Sequence, residues 1–174
     1  TQLQDTFGII LLALVGGVPK IMPLKTILEH FVDFRHEVVI KRTEFDLRAA
    51  EARAHILEGI KTALDNIDEV ISIIKGSKDP AQAKEGLMDA FNLSEIQSQA
   101  ILEMRLQKLT GLEVDKIVTE YKEVIKLITY LKGILDSRSQ RMDIIKEEML
   151  AVKNEFGDER RTEIIPVDSN FSME

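Results

Sequence analysis

Cysteine and tryptophan are both absent from these 174 residues, and the remaining aromatics make up only 5%. Without a thiol there is no disulfide framework, no cysteine nucleophile and no thiolate metal site, and a reducing, cytoplasmic setting is expected. So few aromatics, set beside 30% charged residues, fit long solvated helices better than a sandwich or barrel. Excess positive charge is lacking too: 30 acidic residues face 23 basic ones, a net charge of −7, which disfavours stationary DNA binding by this stretch alone. A long hydrophobic run is also missing. The stretch Ile9 to Val15 has no basic flank and is cut by Gly16-Gly17, so it is no signal peptide and falls short of the roughly 20 residues of a membrane span. The nine glycines form neither a dinucleotide fingerprint nor a Walker loop. Since the first residue is Thr1 rather than Met, the chain is expected to be a piece of something larger.

What is present is helical periodicity. At 44% apolar content the chain has enough material for a core. Leu24, Ile27, Phe31, Phe34, Val38, Phe45, Ala49, Ala52 and Ile56 advance by threes and fours, with Lys41 filling one core slot. Further on, Ile117, Tyr121, Val124, Ile128, Leu131, Leu135, Arg138, Met142, Ile145, Met149, Val152 and Phe156 step regularly, and only Arg138 breaks the apolar rule. About forty residues of helix reach roughly 60 Å, more than a compact domain needs. Pairs such as Lys25 with Glu29, Glu37 with Lys41 and Glu44 with Arg48 dress the outer face. Between the long segments, Ala63 to Lys75 reads as a helix ended by Gly76, Asp79-Pro80 opens a second through Phe91, and Ser94 with Gln97 forms a capping box for a third through Leu109. Ahead of everything, Gly16-Gly17 between β-branched runs predicts a hairpin within residues 9–22.

The fold class is therefore mainly α: a long antiparallel coiled coil with a small helical cap and a short N-terminal β-hairpin. Residues 1–22 read as the remnant of a preceding domain, 23–62 and 110–157 as the arm, 63–109 as a helical dimerisation cap, and 158–174 as a charged tail that frays after Gly157.

The third cap helix carries apolar side chains on two opposite stripes, Leu93, Ile96, Ala100 and Met104 on one and Leu102, Leu106 and Leu109 on the other. A cap of fewer than fifty residues has little interior for both, so a second copy of the chain is the expected cover; the alternative is that both stripes pack within the cap. The candidate dimer interface is Leu93, Ile96, Gln97, Ala100, Met104 and Gln107. His30, His36 and His55 have no metal-binding spacing, and Asp65, Asp68 and Glu69 lack the alternating oxygens of a calcium loop, so no metal site is assigned. Tyr121 and Tyr130 have no neighbouring base and read as packing residues. Arg160-Arg161 is the one basic spot of the tail, equally suited to a helix C-terminus and to a possible DNA contact.

Five ordered motifs add a resemblance. Thr1-Gln2-Leu3-Gln4 with Phe7-Gly8-Ile9, then Leu24-Lys25 with Ile27-Leu28-Glu29-His30-Phe31, then Ala63-Leu64-Asp65-Asn66-Ile67-Asp68-Glu69-Val70-Ile71 come first. Leu93-Ser94-Glu95 through Leu106 and Leu109-Thr110-Gly111-Leu112-Glu113 follow, and Phe156-Gly157-Asp158-Glu159-Arg160-Arg161-Thr162-Glu163-Ile164 closes the series. Together they resemble the A subunits of bacterial DNA gyrase over nearly the whole chain. Between Ile9 and Pro19 the sequence departs from the usual pattern, with Ile10 where Asn is common and Gly17-Val18 where a Gly-Gln type is common. The resemblance implies a segment of an ATP-dependent type II topoisomerase in the bacterial cytoplasm, at the nucleoid: a coiled-coil arm and an exit gate that holds the dimer and releases the transported duplex. It also implies that the catalytic tyrosine lies upstream and that this stretch is inactive alone. No cofactor is expected on the chain, magnesium and ATP being carried mainly by the B subunit of an A2B2 enzyme. Implied partners are a second copy through the cap, double-stranded DNA and that B subunit, with no membrane. Alternatives are a topoisomerase IV A subunit, or a purely structural coiled-coil hairpin.

Overall fold

A computed structural model describes residues 8–163. The opening motif up to Phe7 and the tail beyond residue 163, Pro166 included, lie outside the described residues. Strands β1 (Leu12–Val15) and β2 (Val18–Ile21) pair antiparallel with Val15 opposite Val18, as the glycine pair predicts. Both turn residues take left-handed angles, Gly16 at φ 59° and Gly17 at φ 80°, the geometry of a two-residue hairpin turn that side-chain-bearing residues resist. Helix α1 (Leu24–Asp65) follows, then α2 (Ile67–Gly76), α3 (Pro80–Phe91), α4 (Glu95–Leu102), a 3₁₀ turn at Leu106–Leu109, α5 (Gly111–Asp136) and α6 (Arg138–Phe156).

Helix α1 runs antiparallel to α5 and α6. Ion pairs mark the register: Arg53 with Glu120 at 2.6 Å, Lys132 with Glu51 at 2.9 Å, and Arg42 with Glu148 at 2.8 Å, where Arg35 joins the same carboxylate. Between the helices a core forms from Val39, Ala50, Leu131, Ile134 and Ile145. A second core, Ala63, Val70, Leu87, Leu93 and Ile101, sits where α2, α3 and α4 gather at the end of the arm. Full burial of a side chain such as Leu87 contributes about 1.5–3 kcal/mol.

Local start signals are where the sequence places them. Asp79 caps α3 by accepting from the Gln82 amide with Pro80 in the first turn, and Ser94 and Gln97 form a complete capping box on α4. Lys25–Glu29 and Glu37–Lys41 form their surface pairs.

Four expectations are corrected. First, the seam of α1 does not follow the aromatic stripe. Phe31, Phe34 and Phe45 are exposed, and so is Lys41, while the buried residues are Val39, Thr43, Ala50, Ala54, Leu57, Gly59 and Ala63. Small side chains along this face let the α5 backbone approach, which a row of phenylalanines would prevent. Second, the helix expected over Ala63 to Lys75 is divided at Asn66 (φ −127°, ψ 38°), so that Ala63 to Asp65 belong to α1 and α2 opens at Ile67. Third, α4 ends at Leu102, not Leu109. Glu103 to Lys108 are all good helix formers, but the chain must turn there to send α5 back along the arm, and tertiary geometry overrides propensity.

Fourth, the second long helix is interrupted. Ser137 leaves helical geometry (φ −108°, ψ 110°) and caps α6 through its hydroxyl, which accepts from the Gln140 amide. At the break Arg138 is exposed and Arg141 is buried instead, while Met142, Ile145 and Met149 keep the inward positions that their spacing predicts. The Arg141 guanidinium donates to the Ile134 carbonyl at 2.7 Å, to the Leu135 carbonyl, and to His36 Nε2 on α1 at 2.9 Å. A break frees carbonyls at the end of α5, and a buried guanidinium supplies the missing donors.

Candidate functional site

The candidate partner face lies on α4, at the far end of α1 from the hairpin. Its inner side is anchored by polar contacts. Gln97 is buried and donates through Nε2 to the His55 carbonyl at 2.8 Å, while its Oε1 accepts from the Ser94 amide at 2.9 Å. His55 Nε2 lies 2.8 Å from Ser94 Oγ, which also accepts from the Gln97 amide. Capping box and arm helix are therefore one hydrogen-bonded unit. Close packing requires Gly59, because a Cβ there would lie 2.7 Å from Gln97 Cβ and Cγ.

With α4 held in this orientation its outer side carries Ile96, 63% exposed, beside Gln99 and Glu103, with Ala100 half-buried. These residues and Ile56 of α1 border an open hollow of about 500 Å³. At the rim, a 2.6 Å hydrogen bond and ion pair from Lys84 hold the Glu95 carboxyl below the usual glutamate range. A larger hollow, about 700 Å³ at Leu24, Leu28 and Val32, sits at the opposite end of α1.

Of the six candidate interface residues, Ile96 and Ala100 border this hollow, Met104 is half-buried past the end of α4, and Gln107 is exposed on the 3₁₀ turn. Leu93 and Gln97 are turned inward, Leu93 into the cap core and Gln97 onto His55. Sequence reasoning missed Ile56, Gln99 and Glu103 as neighbours of Ile96, and missed His55 and Gly59 as the support beneath it. A signal existed: Gly59 stands alone inside a helical pattern, which costs about 1 kcal/mol against alanine and calls for a packing reason.

A family model for the DNA gyrase/topoisomerase IV A subunit matches residues 1–150. The DNA gyrase A subunit of Clostridium acetobutylicum is 53% identical over 174 residues, 100% of this chain and 21% of the relative. Its counterpart in Halalkalibacterium halodurans is likewise 53% identical over the same span and share, and that of Deinococcus deserti is 49% identical, with 22% of its own length covered. The chain belongs to the DNA gyrase/topoisomerase IV A-subunit family. It spans about a fifth of the length of the curated relatives it matches.

In this A-subunit segment the remaining candidates are dispersed. Tyr121 is half-buried on α5, with Lys61 Nζ 6.0 Å from its ring centroid, and Tyr130 is exposed. Among the described residues no three His, Asp or Glu side chains are grouped to hold a metal ion, and no helix is long and apolar enough to cross a membrane. Arg160 and Arg161 are exposed just past α6, and Arg160 Nε donates to the Thr162 carbonyl at 3.0 Å.

Proposed function

We propose that this segment is the coiled-coil arm and exit gate of a bacterial type II DNA topoisomerase, with the α4 face pairing against the same face of a second copy. The observation that carries the reading is Ile96, an apolar side chain left exposed on a braced helix at the end of an arm about 60 Å long. An enzyme that opens both strands of one duplex needs a second joint that keeps its halves together, and a joint at the far end of two arms leaves room for a duplex between them. Such a joint must also open. A standard interface of about 800 Å² per partner supports association near −12 kcal/mol, tight yet reversible. Eight acidic against five basic residues in 63–109 discourage the passing duplex from lingering at the cap.

Relatives that share about half of their aligned residues with this chain are gyrase A subunits, which favours gyrase over topoisomerase IV. On that reading the further partners are double-stranded DNA and a B subunit, in an A2B2 enzyme, with the segment at work in the cytoplasm at the nucleoid. The catalytic tyrosine lies upstream, the segment is inactive alone, and Arg160 and Arg161 are available to DNA. No step of the segment's own action runs through magnesium or ATP, which the resemblance assigns mainly to the B subunit.

Sedimentation equilibrium of the chain tests the pairing. A dimer is expected that Ile96→Glu shifts at least a hundredfold toward monomer, because the carboxylate would be desolvated in an apolar contact. A monomer at every concentration, or a dimer indifferent to Ile96→Glu, would overturn the assignment of this face.

A further inference from the structure

The interruption at Ser137 lies in the middle of the arm, and three features converge on it. The α5–α6 backbone leaves helical geometry for that one residue, losing the ladder that stiffens the rest of the helix. Directly across, α1 carries a buried threonine whose Thr43 Oγ1 donates to the Val39 carbonyl at 2.7 Å. Back-bonding of this kind inside a helix weakens and bends it. The register places Thr43 at the level of the break, since His36 meets Arg141 on one side of it and Glu51 meets Lys132 on the other. The break in one wall and the buried back-bonded threonine in the other thus lie at one height.

Arg141 spans the soft point. It is 9% exposed, and its guanidinium ties α6, to which it belongs, to the last carbonyls of α5 and to His36 on α1. Three elements meeting at one planar fork is the geometry of a clasp, and an arginine suits it because its donors lie in fixed directions. An interruption needed only to end one helix and start another would be served by Ser137 alone.

We propose that residues 136–138, with Thr43 opposite, form a hinge in the arm, and that Arg141 is the positioning residue that holds it straight. Releasing the clasp lets the outer half of the arm, with the cap, swing relative to the inner half as a rigid lever. The inference rests on the gate reading only for what the swing accomplishes, the separation of the two caps; the hinge itself is a property of the arm.

Two measurements on the full-length A subunit test it. In hydrogen exchange, Arg141→Met is expected to accelerate the amides of Ser137 and Gln140 at least tenfold and to leave those of α4 within twofold. Arg141→Gln, which reaches a single carbonyl, should fall between and keeps the test alive should the methionine variant misfold. The second measurement uses spin labels at single sites, Lys126→Cys outside the hinge or Lys146→Cys inside it, read between the two subunits of the dimer. Arg141→Met is expected to widen the distance distribution at position 126 at least twofold and leave that at 146 unchanged. Equal widening at both positions, equal acceleration in α4, or no acceleration at Ser137 and Gln140 would overturn the proposal. Absence of all dipolar coupling in the labelled protein that keeps Arg141 would instead sink the gate reading, and exchange alone would then decide the hinge.

Discussion

At the scale of single residues, Glu148 shows how the inner half of the arm is fastened. Arg42 and Arg35 of α1 both reach its carboxylate, with Arg42 at 2.8 Å. The hydrogen bond from Arg42 is the main reason its carboxyl is held below the ordinary glutamate value; partial burial works against this, and Arg35 adds to the lowering. A carboxyl with a depressed folded-state value binds protons more weakly in the folded chain. Its stabilisation is therefore complete above the unfolded glutamate value of about 4.3 and is lost as pH falls through the lower folded value. With 28% of the side chain still exposed, the pair is worth no more than about 1 kcal/mol. Urea titrations of the chain and of Glu148→Gln are expected to differ by about that amount near neutrality and to converge in acid below the glutamate range. A difference that persists unchanged in acid would mean the carboxylate charge is not what fastens the helices.

At the scale of elements, α1 and α4 behave as one piece because Gly59 permits it. Gly59→Ala gains helix propensity of about 1 kcal/mol, but its methyl meets the Gln97 side chain where no room exists. Overpacking of this kind costs about 1–3 kcal/mol, and displaced Gln97 also loses its bond to the His55 carbonyl. Thermal unfolding by circular dichroism should show a net loss of stability; an increase would mean α4 is free to shift and the α1–α4 contact is loose. What the sequence makes legible among the elements is what neighbouring residues decide. Gly16-Gly17, Asp79-Pro80 and the Ser94/Gln97 box each act within four positions, and each is where it was expected. The phase of α1 was not legible, because an apolar stripe of phenylalanines and a stripe of alanines with Gly59 run along the same helix, and only the partner helix selects the thinner one. Nor was the break at Ser137, where apolar spacing continues across the interruption with Arg138 as its one exception, and Arg141, the arginine that is buried, lies outside that spacing. For the candidate face, Ile96 was legible from its position on α4, while Gly59 and His55, some forty residues earlier in the chain, act through contacts that no local pattern encodes.

On the scale of the whole molecule, the cap occupies the middle of the sequence and the two walls of the arm are its flanks. Exposed apolar side chains gather at the other end, where Leu24, Leu28, Phe31 and Phe34 lie on α1, Phe156 ends α6, and the hairpin presents Leu12, Leu14 and Ile21. Cross-arm contacts are ordered by distance along the chain. Arg53 meets Glu120 across 67 positions, His36 meets Arg141 across 105, and Arg35 meets Glu148 across 113. Closing a loop of that length from an unfolded chain is entropically costly, but once the cap is formed each further pair closes a loop much shorter than its full separation. The chain is therefore built to fold like a zip fastener whose slider starts at the cap and travels toward the open ends. Pulse-labelled hydrogen exchange during refolding should find amides of α3 and α4 protected before those around Arg35 and Glu148, and protection appearing first around Arg35 and Glu148 would reverse the direction of travel.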